Sequence, residues 1–514
     1  KPGGELGRLI VDYTAPVSDG PSVNNPARKL DTERAFGPIA MPQLPDYARA
    51  FRAAQSVAAP GAPLLLAVLD FKSAHRRFPY SPEASALLAV HMPERPASLG
   101  GPVPGGVVAF PLCGQFGDSQ VVYAWEALGR AVVSHLSALW TRRHGLPPTA
   151  PVPFVLYADD FTVFGDAAEQ ELLISAFRTL AHELLGPSAL SEDKFRPPAP
   201  ANTAVGYDFD LASGSVVPSE RTLSQLALDL RRLLPSGRGR VDVLRSAAGR
   251  AARVVHVLPA FRPLVAPLLS AVAAFSRLGP ATVRSVPRSS LASLNVLARL
   301  VRELYDNPLP AARPLRHVEL AHGDPDAARL AADVVVFTDA CSTGLGLGGF
   351  SASGAFHFAE ALASVPAELL RSSGPADINP VELAAAATGA LLGLRSLLAR
   401  QRPPPAPHVH VVVDNSATAS WLRRLSSPLP SARCVLADVA HTFLQHRALV
   451  TTSFLEGSSN STADALSRAA TGSASDRSAA MAVARRLRGA GSSRVRLEAP
   501  PTPGAWWTRS MPTL

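Results

Sequence analysis

The chain has 514 residues and a mass of 53.9 kDa, a size typical of about three or four domains. Hydrophobic residues make up 47% and charged residues 18%, which excludes wholesale disorder because large cores can be buried. The 50 Lys and Arg against 41 Asp and Glu give a formal charge of +9, which favours a polyanionic partner: nucleic acid or an acidic membrane surface.

The cysteine content and the apolar runs indicate in which cellular compartment the chain is expected. The 3 Cys form a poor disulfide framework, so we expect a reducing environment, either cytoplasmic or nuclear. The longest candidate span, residues 258–275, is broken by Arg262 and prolines, so we predict no membrane segment. The chain starts at Lys1 without a signal-peptide pattern, and we expect it to be a fragment of a longer protein.

The first half of the chain has the pattern of a mixed set of strands and helices. Irregular residues 1–60 precede an apolar run that predicts a buried strand ending at Asp70. Two short apolar runs enclose Ala158-Asp159-Asp160, which predicts a hairpin with two acids at its tip. The other predicted features are helices over 121–139 and 167–185 and a Pro-rich separator over 196–201.

A strongly basic helical pattern occupies residues 221–262. Its arginines greatly outnumber its two acids, Asp229 and Asp242, so it carries most of the chain's excess positive charge. A solvated helical face is one interpretation. Contact with phosphate groups is the other interpretation, and it accounts better for so large an excess of positive charge.

A second α/β unit is predicted from about residue 330. A strand ends at Asp339, two Gly-rich strands pass through Gly349 and Phe358, and a helix starts at Asn379. Further strands are predicted over 408–413, ending before Asp414, and over 448–455, with a short helix from about 462. Residues 471–514 are rich in Ser, Arg and Pro, which indicates a linker or tail. The fold class is therefore a multidomain combination of α/β and α+β.

Asp70, Asp159 and Asp160 are a first set of acids at strand ends, where Asp is usually avoided. A simple turn explains an Asp-Asp pair. Two-metal phosphoryl transfer also requires carboxylates on neighbouring strands, to hold ions that activate a 3′-hydroxyl and stabilise leaving pyrophosphate.

These residues resemble the motifs of reverse transcriptases. Tyr157-Ala158-Asp159-Asp160 is similar to their Tyr-x-Asp-Asp box, and Asp70-Phe71-Lys72-Ser73-Ala74 to the first-aspartate motif. Gln115-Phe116-Gly117 is similar to the segment against the incoming nucleotide, and Lys194 to the lysine of the next motif. The resemblance implies a right-hand polymerase with fingers, palm and thumb, with the basic stretch in the thumb. It implies nucleotide contacts from Phe71, His75, Gln115, Gly117 and Lys194. His75 stands where the family has an aromatic residue that screens the sugar 2′-position.

Asp339, Glu382, Asp414 and Asp464 form a second set. Each alone has a structural explanation: Glu382 completes a capping box, Asp464 suits a first helical turn, and the other two end strands. Together, two acids on strand ends and two on first helical turns can converge on a pair of Mg²⁺ ions, which prefer oxygen ligands.

The order of the second set resembles ribonuclease H. The matching segments begin at Thr338, Glu382, Asp414 and Asn460, and the last reads Asn-Ser-Thr-Ala-Asp-Ala-Leu-Ser-Arg, as in retrotransposon ribonuclease H domains. The resemblance implies hydrolysis of the RNA strand of an RNA–DNA hybrid, with two Mg²⁺ ions in each active site, replaceable by Mn²⁺. The loop before Asn460 lacks the histidine that some relatives use in product release.

Together the motifs resemble a retrotransposon reverse transcriptase followed by ribonuclease H. They look most like the tyrosine-recombinase (DIRS-like) group, with gypsy-type LTR elements as the close alternative. The implied partners are an RNA template, a DNA primer, an RNA–DNA hybrid, deoxynucleoside triphosphates and other polyprotein domains such as a recombinase or integrase, but no membrane. The implied division is a partial fingers segment (1–60), palm and fingers (61–215), basic thumb or connection (216–325), ribonuclease H-like domain (330–470) and tail (471–514). A decayed or domesticated nucleic-acid-binding scaffold with the same folds remains the alternative.

Overall fold

A computed structural model describes most of the chain: residues 33–34, 38–82, 85, 90–92, 107–109, 113, 119–275, 282–306, 312–341, 346–361, 378–427, 429–469, 472–489 and 493–494. The chain divides into two compact units, Lys1–Val205 and Gly206–Leu514. The finer five-part division stays a prediction.

The first unit is built on a four-stranded antiparallel sheet. Its strand order is β4-β5-β1-β6, with β1 between β5 and β6. Alternate side chains pack against helices on one face, where Phe161 stacks on Phe177 with ring centroids 4.0 Å apart. The elements of this unit are α1 (Leu44–Val57), β1 (Leu65–Asp70), β2 (Val90–Met92), β3 (Val107–Ala109), α2 (Ser119–Arg143), β4 (Phe154–Tyr157), β5 (Asp160–Gly165), α3 (Ala167–Leu185), β6 (Arg196–Ala199) and β7 (Ala201–Ala204).

The Pro-rich separator predicted over 196–201 is instead an edge strand. β6 pairs antiparallel with β1, with Leu66 opposite Ala199 and Val68 opposite Arg196, and the pairing is irregular between those positions. Proline is tolerated there because an edge strand leaves one side of its backbone without a sheet partner. The acid-bearing strand β1 therefore lies inside the sheet.

The second unit begins with a short sheet and a group of packed helices. β8 and β9 form an antiparallel pair that β12 extends, and β10 pairs with β11. The basic segment predicted over 221–262 forms two helices separated by β10. The elements are β8 (Tyr207–Asp210), β9 (Ser215–Pro218), α4 (Glu220–Leu233), β10 (Arg238–Arg240), α5 (Val241–Val257), α6 (Arg262–Ala274), β11 (Val283–Ser285), α7 (Arg288–Asp306), β12 (Arg313–Pro314), α8 (Leu315–His322) and α9 (Pro325–Leu330).

A six-stranded mixed sheet completes the second unit, in the order β17-β16-β13-β14-β15-β18. β13, β14 and β15 are antiparallel neighbours, whereas β16 and β17 run parallel to β13 on its other side. The elements are β13 (Val334–Cys341), β14 (Gly346–Ser351), β15 (Phe356–Ala361), α10 (Ile378–Leu398), β16 (His408–Val413), α11 (Ser416–Arg424), α12 (Pro430–Gln445), β17 (Leu449–Phe454), α13 (Ser461–Ser467), α14 (Ala474–Gly489) and β18 (Ser493–Arg494).

Helix α10 packs across this sheet as a core helix. A Cβ built on Gly389 would lie 2.5 Å from Thr338 Cγ2, so the absence of a side chain lets the helix approach β13 closely. By length and hydropathy α10 is the one described helix that could cross a membrane, but 67% of its apolar window is buried in the folded chain.

Part of the segment predicted as a linker or tail is helical. Ser473 and Asp476 bond reciprocally at the start of α14: the Ser473 N–H donates to Asp476 Oδ2 at 2.8 Å and the Asp476 N–H to Ser473 Oγ at 3.2 Å. This capping box stabilises the first turn of α14. The prediction of a linker or tail rested on the overall Ser, Arg and Pro content, which does not reveal such a local helix start. β18 then pairs parallel with β15.

Gly348 is where α13 contacts the sheet. A Cβ at this position would lie 2.2 Å from Ser467 N and 2.8 Å from Ala463 O, both backbone atoms that cannot rotate away. We expect Gly348→Ala to lower the free energy of unfolding by about 1–3 kcal/mol, the usual cost of overpacking. Denaturant unfolding measures this. Gly249→Ala, on α5 with no atom within 4 Å, is the control, and we expect it to be neutral or stabilising. Equal effects of the two changes would contradict the close packing.

Candidate functional site

The first set of acids meets at one end of the first unit's sheet. β1 and β5 are antiparallel, and Asp70 at the end of β1 lies opposite Asp160 at the start of β5. Tyr157 lies opposite Asp160 on the other side, so Ala158 and Asp159 form a two-residue turn. The predicted hairpin is confirmed, with Asp160 in the strand rather than in the turn.

The turn that carries Asp159 is held in an unfavourable conformation. Ala158 has φ 51°, in the left-handed region that costs a residue with a side chain roughly 1–3 kcal/mol. Trp125 Nε1 donates to the Ala158 carbonyl at 2.8 Å, and the Phe71 N–H donates to the Asp159 carbonyl at 2.9 Å. These bonds fix the position of the Asp159 backbone.

The first set concentrates negative charge beside one lysine. Lys194 Nζ lies 2.7 Å from Oδ2 of the buried Asp70, and this hydrogen bond is the main cause that raises the pKa of Lys194. Burial first, and then the charges of Asp159 and Asp70, raise the pKa of Asp160 to about 6, against the opposing effect of Lys194 and Arg196. Neighbouring carboxylates that disfavour each other's ionisation would be stabilised by a cation.

The other residues predicted to contact the nucleotide have different placements. The Phe71 ring is buried, with centroids 4.9 Å from Trp125 and 5.1 Å from Phe177, so the structure gives it a packing role. His75 belongs to a short 3-10 helix, Ala74–Arg77. The His75 side chain, Gln115 and Gly117 lie outside the described residues. The nucleotide contacts of all five residues stay predictions.

Three acids of the second set meet beside two parallel strands. The strand end predicted at Asp339 is wrong by two residues, because β13 continues to Cys341 by pairing with β14 after its pairing with β16 has ended. Phe337 on β13 lies beside Val412 on β16, so Asp339 and Asp414, each two residues further on, reach the same level of the sheet. Glu382 stands near the start of α10, which packs over these strands. Carboxylate oxygens of Asp339, Glu382 and Asp414 lie within 4.8 Å of one another.

This triad could hold a metal ion, and among the described residues it is the one group of at least three acids, histidines or cysteines that meets the 4.8 Å distance. The carboxylates of the first set do not all lie within 4.8 Å of one another, although Asp70, Asp159 and Asp160 are at the same end of one sheet. Asp464 lies close enough for its charge to raise the pKa of Asp339, but it is outside the triad. Its Oδ1 accepts from Arg468 Nη2 at 2.7 Å.

Polar residues beside the triad hold its supporting elements together. Asn415 accepts from the Thr418 N–H at 2.9 Å, and its own Nδ2 donates to Asn379 Oδ1 at 2.8 Å. Ser467 Oγ donates to Asp339 Oδ2 at 2.6 Å. Sequence reasoning gave Ser467 no role, although it lies in the motif that ends at Arg468. The hydrogen bond positions a carboxylate in the way that outer-shell partners position metal ligands.

The triad fits a divalent cation. Burial, followed by the charges of Asp339 and Asp414, raises the pKa of Glu382 to about 9. Burial is also the largest cause that raises the pKa of Asp339 to about 7. Glu382 Oε2 is buried and accepts no hydrogen bond. Buried carboxylates without cationic partners are costly, and hard oxygen ligands are those that Mg²⁺ and Mn²⁺ prefer.

The raised pKa of Glu382 predicts the pH dependence of stability without metal. From about pH 7 to about 9 the folded state retains the Glu382 proton that the unfolded state has released, so the free energy of unfolding falls as pH rises, by at most about 1.4 kcal/mol per unit. Urea unfolding in EDTA measures the slope. Buried His317, His408 and His410, whose pKa values burial lowers, are neutral in both states over most of this range.

Glu382→Gln is the control for this slope, because the amide cannot titrate. We expect the variant to be more stable than the wild type at pH 8.5 in EDTA, with the difference shrinking towards pH 5. Saturating Mg²⁺ should remove the wild-type decline, since a bound cation favours the ionised carboxylate. A wild-type stability that rises from pH 7 to 9 relative to the variant would contradict the buried acid cluster.

Comparison with known proteins gives only distant structural similarity. The sequence matches no protein-family model and no curated protein. It is similar to a foamy viral protease-reverse transcriptase with double-stranded DNA: 12% identity, 76% of this chain, 56% of that chain and a TM-score of 0.33. The same viral protein with an RNA/DNA hybrid is 12% identical over 85% of this chain and 69% of that chain, with a TM-score of 0.28. Telomerase from Candida albicans with a telomeric RNA fragment is 10% identical over 48% of this chain and 46% of that chain, with a TM-score of 0.23. Similarities at these TM-scores do not indicate a function, which is inferred below from the residues of the two acid sets.

Proposed function

We propose that the chain is a retroelement reverse transcriptase with a ribonuclease H-like domain, which copies RNA into DNA and hydrolyses the RNA strand of the resulting hybrid. The main support for the proposal is the convergence of Asp339, Glu382 and Asp414, of which the first two are buried and the third is half-buried. The triad stands on a mixed sheet in which β16 and β17 run parallel to β13, so that the residues following β13's pairing with β16 meet those following β16.

In the ribonuclease H-like domain, Asp339, Glu382 and Asp414 would hold Mg²⁺, with Asp464 as a further ligand. Bound ions would activate the attacking water and stabilise the leaving 3′-oxygen. The residues of this chain orient the ligands: Ser467 fixes Asp339, and the Asn415–Asn379 bond fixes the start of α10. Asp339 and Glu382 are buried, Asp414 is half-buried and the Asp464 side chain is 41% exposed. This gradient is consistent with a site that opens at one edge of the sheet for a large substrate.

In the polymerase, Asp70 and Asp159 would be the principal metal ligands, with Asp160 beside them. The support is the pairing of Asp70 with Asp160 and the fixed turn at Ala158. Lys194 bonds to Asp70 and would have to release it when a cation binds there. The ammonium group would then be free for a triphosphate oxygen, which is the nucleotide contact predicted for Lys194 from the sequence.

A nucleic-acid scaffold without catalysis is the second candidate. The observation that favours it is that basic side chains already pair with one acid of each set: Lys194 with Asp70 and Arg468 with Asp464. Such pairs neutralise carboxylates without metal. They are largely exposed on the basic side, however, so they contribute little and are readily exchanged.

One experiment distinguishes the two candidates. The purified chain is assayed for primer extension on an RNA template with deoxynucleotides, and for cleavage of a labelled RNA–DNA hybrid, with Mg²⁺ and with EDTA. For an active enzyme we expect both products with Mg²⁺ and neither with EDTA. Binding of the hybrid without either product would support the scaffold. Activity that persists in EDTA would contradict the metal-dependent chemistry.

A further inference from the structure

A small cavity in the second unit is lined by basic side chains and histidines. Its volume is about 60 Å³, and it lies among α5, α6, α8, α12 and β17, away from the acid triad. Arg313 and His317 are buried, His256 and Arg262 are half-buried, and His322 and Arg423 are exposed at the rim. The described residues that line the cavity include no Asp or Glu.

Among the described residues, Arg313 is a buried cation with no carboxylate partner. Its side chain is 5% exposed, Nη1 donates to the Ala448 carbonyl at 3.2 Å, and Nε is buried without an acceptor. Burial and the neighbouring charge of Arg447 lower the pKa of Arg313 to about 10, so the group stays protonated at neutral pH. A buried charge without a counter-charge is strongly destabilising, and one carbonyl satisfies only one of five N–H donors.

The surroundings of the cavity are positive on several sides. Burial is the largest cause that lowers the pKa of Arg262 and of His256. The charge of Arg424 lowers the first further, and the charges of Arg262 and Arg253 lower the second. For His317 the charged neighbours are His408, Arg316 and Arg313, and both ring nitrogens are buried without hydrogen-bond partners. The described histidines here do not converge on a common point within 4.8 Å. The positive electrostatic potential of these arginines and the spacing of the histidines therefore disfavour a metal cation and favour an anion.

We propose that this cavity binds one inorganic phosphate ion, held by Arg313 and the neighbouring His317, with Arg262 in the lining of the same cavity. The volume is several times the roughly 10–15 Å³ that a cavity needs to hold one water, and far below the roughly 300 Å³ at which pockets for larger organic ligands begin. Guanidinium groups match the oxygens of phosphate with paired N–H donors. The ion would supply the counter-charge that Arg313 lacks.

The site would link the helical segment to the mixed sheet. Arg313 belongs to β12 and donates to the carbonyl that precedes β17, and Arg262 at the start of α6 donates to the Arg424 carbonyl at the end of α11 at 3.0 Å. An ion bound to Arg313 would strengthen the first of these contacts directly. The proposal does not depend on the acid sets, so it stands or fails separately from the proposed polymerase and nuclease.

Calorimetric titration of the full chain with inorganic phosphate tests the proposal. The buffer contains chloride and EDTA at constant ionic strength, so that metal phosphates do not form. We expect one saturable site in the wild type. We expect Arg313→Met and, as a second variant, Arg262→Met to weaken binding at least tenfold. Arg485→Met, which removes an exposed arginine on α14, is the matched control and should bind as the wild type does.

Thermal unfolding with and without phosphate separates a binding role from a purely structural one. We expect phosphate to raise the Tm of the wild type and of Arg485→Met, with a smaller increase or none in Arg313→Met and Arg262→Met. The absence of saturable binding, or an equal increase in all four proteins, would overturn the proposal. So would competition in which a single-stranded oligonucleotide displaces the phosphate, because the site would then belong to the nucleic-acid backbone.

Discussion

Asp339→Asn will remove cleavage of the RNA strand of an RNA–DNA hybrid and leave primer extension intact. Asp339 is a buried member of the three acids whose oxygens converge, and Asn supplies one neutral oxygen where the cation needs a charged one. We expect a loss of more than about 100-fold, because changes to outer-shell partners alone already cost 10–100-fold. The measurement is the initial rate of hybrid cleavage with Mg²⁺, together with extension of a primer by the same preparation.

Asp326→Asn is the matched control for this prediction. Asp326 is an exposed acid on α9 of the same unit, paired only loosely with Arg329 at 3.3 Å. We expect its hybrid cleavage to equal that of the wild type. Retained cleavage in Asp339→Asn would contradict the role of the triad. Simultaneous loss of primer extension would indicate a general folding defect instead of a local one.

Asp159→Asn and Asp70→Asn will have the opposite effect: no primer extension, but hybrid cleavage at the wild-type rate. The two acids lie at the same sheet end, one in a fixed turn and one at the end of β1. Loss of a metal ligand removes several kcal/mol of transition-state stabilisation, which corresponds to at least about 100-fold in rate. Extension of a labelled primer on an RNA template by each variant measures the effect.

Asp193→Asn is the control for the first set, because Asp193 is exposed and adjacent in sequence to Lys194. We expect the control to extend the primer normally. Normal extension by Asp70→Asn would contradict the proposed polymerase site. Loss of both activities in Asp70→Asn or Asp159→Asn, in a variant that unfolds as the wild type does, would contradict the independence of the two acid sets, which belong to different units of the chain.

The acids at strand ends were predictable from sequence because apolar runs stop abruptly at charged residues. The run before Asp70 is a buried strand, and the runs before Asp339 and Asp414 form neighbouring parallel strands. Since parallel strands end at the same sheet edge, pattern and order were sufficient to predict that these two acids meet. Pro380 correctly indicated a helix start, but α10 begins at Ile378, so Glu382 lies beyond the first turn in which it was predicted.

Other features depend on tertiary contacts that local patterns do not encode. The Pro-rich β6 is a strand only because β1 offers it an edge. The ion pair between Lys194 and Asp70 joins residues far apart in the chain, so the motif that contains Lys194 could not predict its partner. The same holds for the buried Arg313, whose position beside β17 depends on packing between distant elements.

Anomalous X-ray diffraction from crystals soaked in Mn²⁺ tests the central claim most directly, because it locates bound cations without relying on activity. We predict manganese peaks within ligand distance of Asp339, Glu382 and Asp414, and a further peak between Asp70 and Asp159. Absence of a peak at the triad at saturating Mn²⁺, with the three carboxylates ordered, would contradict the claim that this chain gathers its acids to bind the ions of phosphoryl-transfer chemistry.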